Sequence, residues 1–354
     1  MMLPSLLALS LSVAASRPVP PCVQVESLPQ GRDVRVRLDS AHREVVVTIG
    51  PFRVARSMPM RDDDPMMMAM MVDSVVGLFA WPLDAYIHGL RLEVIDAAGV
   101  PLPRRLLHHL NVMNFDRRQL LYPIVERLAG FGQETEDMSV PASIGLPLAR
   151  GHRIGVVVMW DNETAQDLDG VSVRLTFRLN PRRQYPPPIA VLPLNADTRF
   201  VPGGANTFDV PPGGHSQVFE FTMPISGRLL AAGGHLHDHG AWIRLQDAAT
   251  GRVLVTLRPL TDAAGRVTGM SRALLAVWGD GLHLIAGRRY RLLARYENPT
   301  PDTLRGMMGL LGGIFAPDEP RRWPALDRSN GDYLTDIRNL PGLTDFADAP
   351  RAAK

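Results

Sequence analysis

The sequence predicts an all-β protein, two tandem antiparallel β-sandwiches of jelly-roll-like class. Three observations support this reading. Apolar and polar residues alternate with period two in many stretches, turn signals separate those stretches, and long helical periodicity is scarce in a chain with 31 Gly and 31 Pro. In VSVRLTFRL, Val171, Val173, Leu175, Phe177 and Leu179 share one side while Ser172, Arg174, Thr176 and Arg178 share the other. A half-buried strand requires that alternation. VRVRL at 34–38, REVVVTI at 43–49, HSQVFEFTM at 215–223 and RVLVTLRPL at 252–260 repeat it, with DAAG, PPGG and ATG between strands as turn signals. Many short strands with few helices favour sandwiches. One short helix is expected around residues 117–130, where the apolar spacing is mixed.

The length of 354 residues suits about two domains. The clearest boundary is the proline-rich stretch 181–195, because proline removes ladder donors and favours extended backbone. Residues 23–180 then form the first sandwich and 196–317 the second, with an irregular tail over 318–354. Residues 1–22 read as a signal peptide or a disordered N-terminus: an apolar run ends in small residues around Val13 to Ser16, although a basic start is missing. Export, to the periplasm or outside the cell, is the expectation. No later segment reaches the roughly 18 apolar residues of a membrane helix.

Composition excludes some partners. A net charge of +2 with 45% hydrophobic residues is that of a globular chain and gives no basic surface for nucleic acid. A small-molecule or peptide substrate stays possible, but no pocket can be read from pattern. Cys22 is the one cysteine, so no intrachain disulfide can form.

The strongest chemical signal is GRLLAAGGHLHDHGAWIRL at 227–245. On a strand, His235 and His237 face one side about 6–7 Å apart, a separation that lets two imidazoles converge on one metal ion. Gly233 and Gly234 are expected to bend the backbone before them, and Asp238 with Gly240 to turn it after. His239 falls beyond the strand, near the surface. The alternative is a polar strand end whose histidines face water. In LLHHLNVMNFD, His108 and His109 are adjacent, so on a regular strand they point to opposite faces and could not both ligate one ion without a bulge or distortion. That pair reads equally well as one buried and one exposed histidine or as half of a site. Met307 and Met308 lie between glycines after a strand, and a thioether is a soft ligand suited to copper. A core-filling methionine is the ordinary alternative. SMPMRDDDPMMMAMM at 57–71 holds seven Met and reads as an apolar segment under a loop, or as a Cu(I)-capturing one.

The order of these motifs, His-His in the first half, H-x-H in the second and then a late Met, resembles the copper type II, ascorbate-dependent monooxygenases. That family includes peptidylglycine α-hydroxylating monooxygenase and dopamine β-monooxygenase. The resemblance rests on YIHGLRLEVIDAAGVPLPRRLLHHLNVMNF, on GGHLHDHGAWIRL and on YENPTPDTLRGMMG. It implies two copper sites and hydroxylation by O2, with ascorbate as reductant. His108 and His109 would hold the electron-supplying copper. His235, His237 and Met308, with Met307 as alternative, would hold the copper at which oxygen reacts. The family's third histidine at the first site is replaced here by Met159, and His152 lies seven residues too early to substitute. A non-catalytic copper-binding or buffering protein on the same scaffold, and a metal-free structural double sandwich, are the competing readings.

Overall fold

The computed structural model describes residues 22–28, 32–56, 75–132, 135, 137–181, 186–204, 206–263, 265–277 and 279–340. The Met-rich segment 57–71 and nearly all of the expected leader lie outside them; Cys22 opens the first strand.

The protein is all-β, and its sheets pack in pairs. In the first half, a nine-stranded sheet is built around Glu44–Val54, Leu168–Pro181 and Ala85–Ile95. It faces a four-stranded sheet ordered Val75–Ala80, Arg153–Trp160, Leu107–Arg118, Val125–Gly132. Val47, Val173, Leu175, Phe177, Leu110, Val112, Ile154 and Val156 fill the space between. In the second half, a five-stranded sheet runs Leu192–Asp197, Gly309–Pro317, Gly227–Leu236, Ala273–Leu274, with Leu282–Leu284 beside the third strand. It packs on the sheet Gly213–Thr222, Arg289–Asn298, Gly240–Asp247, Val253–Leu257 through Leu229, Ile243, Leu257, Leu292 and Phe315. Among the described residues, no helix is long and apolar enough to cross a membrane.

Side-chain alternation gives each four- or five-stranded sheet a second, outward face. On Leu107–Arg118, Leu110 and Val112 enter the first core while Met113 and Phe115 belong to a separate apolar cluster with Val125, Val157, Tyr333 and Ile337. That outward face is too apolar to meet water, and other parts of the chain cover it.

Two expectations are corrected here. Residues 117–130 form no helix: Arg118 ends one strand, and Val125–Gly132 is the next. Leu120, Ile124 and Leu128 have helical spacing, but they serve different bodies. Leu120 is buried in the second sandwich's core and Leu128 in the first's, and Pro123 disfavours helix in the residue before it. The stretch from Asp318, expected to be irregular, carries the helix Gly331–Arg338. The Asn330 side chain caps it by accepting from the N–H groups of Asp332 and Tyr333 at 2.9 and 3.4 Å. Only Tyr333 and Ile337 are large apolar groups on its buried side, too few for a period to stand out in sequence.

The proline-rich stretch is partly built into the sheets. Residues 182–185 lie outside the described ones, Ile189–Ala190 pairs in parallel with Ile144–Leu148, and Leu192–Asp197 starts the second sandwich. Both are terminal strands of their sheets, where proline costs no ladder bond.

The helix is held by a two-pronged ion pair. Arg127 Nη1 and Nη2 donate to the two oxygens of Asp336 at 2.8 and 2.5 Å, and the Asp336 carboxylate is 4% exposed. Breaking such a pair leaves a charge partly buried without its partner. Asp336→Ala should therefore destabilise the protein by about 3 kcal/mol, read as a lower urea midpoint at unchanged slope. An unchanged midpoint would mean the helix adds nothing to the fold.

Candidate metal centre

His235 lies near the end of Gly227–Leu236 and His237 one residue beyond it. The chain then leaves one sheet for the other through a tight turn in which Gly240 N–H donates to His237 C=O at 3.1 Å. His239 sits in that turn with φ of 67° and is exposed, as its position beyond the strand predicts. The bend expected at the two glycines before His235 is not there: Gly233 and Gly234 pair regularly with Gly312 and Leu311. Gly234 is needed for packing, because a Cβ there would sit 2.9 Å from Ile243 Cδ1 and 3.1 Å from the Leu310 carbonyl oxygen.

Leu229, Ala232 and Leu236 point into the second core, so His235 points outward. That face looks toward the outward face of the first sandwich's four-stranded sheet, and His109 projects from it. The ring centroids of His109 and His235 are 5.5 Å apart, and those of His235 and His237 5.0 Å. One ring nitrogen from each of His109, His235 and His237 lies within 4.8 Å of the others, and all three side chains are half-buried.

The candidate residues are thus regrouped. His109 joins the histidines of the second half, while His108 is exposed, its ring 4.2 Å from that of His109, and lies outside the group of three. Met159 is the cross-strand partner of His109 and packs against the Met113–Phe115–Tyr333 cluster. His152 is at the far end of the same sheet, with Nδ1 3.5 Å from Asn114 Nδ2. Met307 packs on the second core. Met308 follows it and precedes Gly309, which pairs with Leu236, so Met308 falls opposite His237.

Asp197 was not singled out in the sequence, where nothing connects it to a histidine. It pairs across Leu192–Asp197 with Leu310, and Leu310 pairs with His235, so the three side chains share one face in a row. Asp197 is 6% exposed. Burial raises its carboxyl to about 7, opposed by a hydrogen bond from Asn206 and by the charges of Arg127 and His235.

No family model matches the sequence, and no curated protein matches it. Solved structures similar to it include a chain of Sulfolobus Turreted Icosahedral Virus, 11% identical, covering 84% of this chain and 97% of that one, with a TM-score of 0.37. PNGase F, a glycosylasparaginase from Flavobacterium meningosepticum, is 10% identical over 76% of this chain and 96% of its own, with a TM-score of 0.35. Likeness at this level extends to the all-β class and carries no argument about the site.

The buried carboxylate gives a pH test of the metal-free protein. The folded state holds the Asp197 proton more tightly than the unfolded chain does. Its cost is therefore absent near the unfolded pKa, grows as pH rises and is complete above about 7. Asp197→Asn should raise the melting temperature by about 2 °C or more near pH ~8 and leave it unchanged near pH ~4. An equal gain at both pH values would show that the carboxylate charge is not responsible.

Proposed function

We propose that this chain is a copper-binding protein whose metal is held between its two sandwiches by His109, His235 and His237, with Met308 as a soft fourth ligand. The observation that carries the reading is the approach of three imidazole nitrogens to within 4.8 Å of one another. Tetrahedral ligands about 2.0–2.1 Å from a metal are themselves about 3.3 Å apart. Small side-chain rotations would bring these nitrogens to that spacing. Zinc accepts three histidines as well, but a thioether at Met308 favours copper, above all Cu(I). Copper bound there would supply one-electron redox chemistry. The protein's part is to fix the imidazoles, exclude competing ligands and keep a buried carboxylate at Asp197 nearby.

The family resemblance implies a second copper and turnover with O2 and ascorbate. One arrangement favours this as a second reading: His108 lies beside His109, and Met159 lies directly across the strand from it. Against it, His109 is drawn toward His235, so a second ion would compete for the same imidazole. A single-copper protein is the simpler reading, and the expected export of the chain suits such a role.

Copper analysis after reconstitution and desalting separates these readings. The preferred one expects one copper per chain and no oxygen uptake in ascorbate; two coppers with uptake would establish the oxygenase. Residues that merely orient a ligand typically cost about 10–100-fold in metal affinity when changed, so His109→Ala should weaken copper binding at least that much. Copper retained at wild-type affinity by His109→Ala would reduce the site to His235 and His237. No copper on the wild-type chain would leave a metal-free double sandwich.

A further inference from the structure

Tyr296 stands on Arg289–Asn298, in the sheet opposite the histidine strand, and is completely buried, 0% exposed. Its ring crosses the core edge-on to Phe208, with centroids 5.7 Å apart. Its hydroxyl emerges where two segments of the candidate centre meet. It accepts the N–H of His237 at 3.0 Å and donates to the C=O of Met308 at 2.5 Å.

The sheet ladder explains why a hydroxyl is needed there. Gly227–Leu236 and Gly309–Pro317 pair regularly as far as Leu236 and Gly309. One step further, His237 and Met308 face each other but belong to no strand. The chain on one side enters the Gly240 turn, and on the other it comes from the Leu304–Met307 strand. The Tyr296 hydroxyl bridges the two backbones at the step where the ladder stops.

Alternation also separates the two methionines. Leu311 and Phe315 point into the second core, while Leu310 shares the outward face with His235. Continuing that alternation back along the chain places Met308 outward with His235 and His237, and Met307 inward, where it packs.

We infer that Tyr296 is a positioning residue for the metal centre. By tying the N–H of His237 to the carbonyl of Met308 it fixes the distance between an imidazole ligand and a thioether ligand, and so sets the preference for Cu(I) over Cu(II). This rests on the three-histidine reading and adds to it the residue that brings the soft ligand into place. If the bridge only closed the end of the sandwich, losing it would lower stability and leave the two copper affinities in the same ratio.

The test uses the full chain with Cu(I) and Cu(II) as separate probes, competition titrations for affinity and X-ray absorption for copper–sulfur scattering. Tyr296→Phe keeps the ring and removes both hydrogen bonds. Cu(I) affinity should fall about tenfold, while Cu(II) affinity stays within about threefold. The copper–sulfur contribution should weaken, and Tyr296→Phe should cost little more in a Met308→Ile background. An unchanged affinity ratio with full sulfur scattering overturns the inference alone, as does a copper-loaded wild type with no sulfur scattering. A wild type that binds no copper overturns the three-histidine reading itself. If Tyr296→Phe is too unstable to load, replacing tyrosine by 3-fluorotyrosine, which alters the donor and acceptor strength of the hydroxyl, serves instead. There too, an unchanged ratio overturns the inference.

Discussion

Arg127 sits on the seam between the two sandwiches and holds three parts of the chain at once. Its backbone carbonyl accepts from the Asn195 side chain at 3.0 Å, which joins the terminal strand of one sandwich to that of the other. Its guanidinium grips Asp336, which seats the C-terminal helix over Met113 and Phe115. Next along the seam, Tyr122 stacks on Phe200 with centroids 3.9 Å apart and receives the Asp197 N–H at 2.9 Å. Leu120 enters the second core outright. Burying side chains of this size contributes about 1.5–3 kcal/mol each, so the two sandwiches cannot slide without losing several such terms. The 5.5 Å approach of His109 to His235 depends on that rigidity.

Much of the fold was legible in the sequence because a strand writes itself locally. The alternation in VSVRLTFRL is the alternation of Leu168–Pro181, and the buried sides match. Legibility failed where one segment serves two bodies. Between Arg118 and Val125, Leu120 and Leu128 belong to different cores, so their helical spacing reflects no helix. The C-terminal helix escaped notice because an ion pair and two buried side chains hold it, not an amphipathic stripe.

The site divides along the same line. His235 and His237 were readable together because both lie in a single short stretch. The geometry of His108 and His109 was not: adjacent residues point apart on a regular strand, but the pairing slips between His109–Met159 and Leu107–Trp160, and the bulge leaves the two rings 4.2 Å apart. That the seam would bring His109 to His235 depends on how two sandwiches pack, which no local pattern encodes. The resemblance assigned His109 to a separate centre, whereas the fold brings it to His235 and His237. Asp197 and Tyr296 are equally silent in sequence, since each acquires its role from cross-strand register and from burial.

The three clustered imidazoles come from positions far apart in the chain: 235 − 109 = 126 residues separate the first from the second. An ion gripped by all three would close that length into a loop, as a disulfide closes one. A closure of this size, where it persists in the unfolded chain, removes several kcal/mol of conformational freedom, on the order of 4–5 by the chain-entropy estimate. Cys22 is the sole cysteine, so the chain has no covalent route to such a closure. A metal tie between positions this remote would be reversible, made and released by ligand exchange instead of by oxidation of thiols.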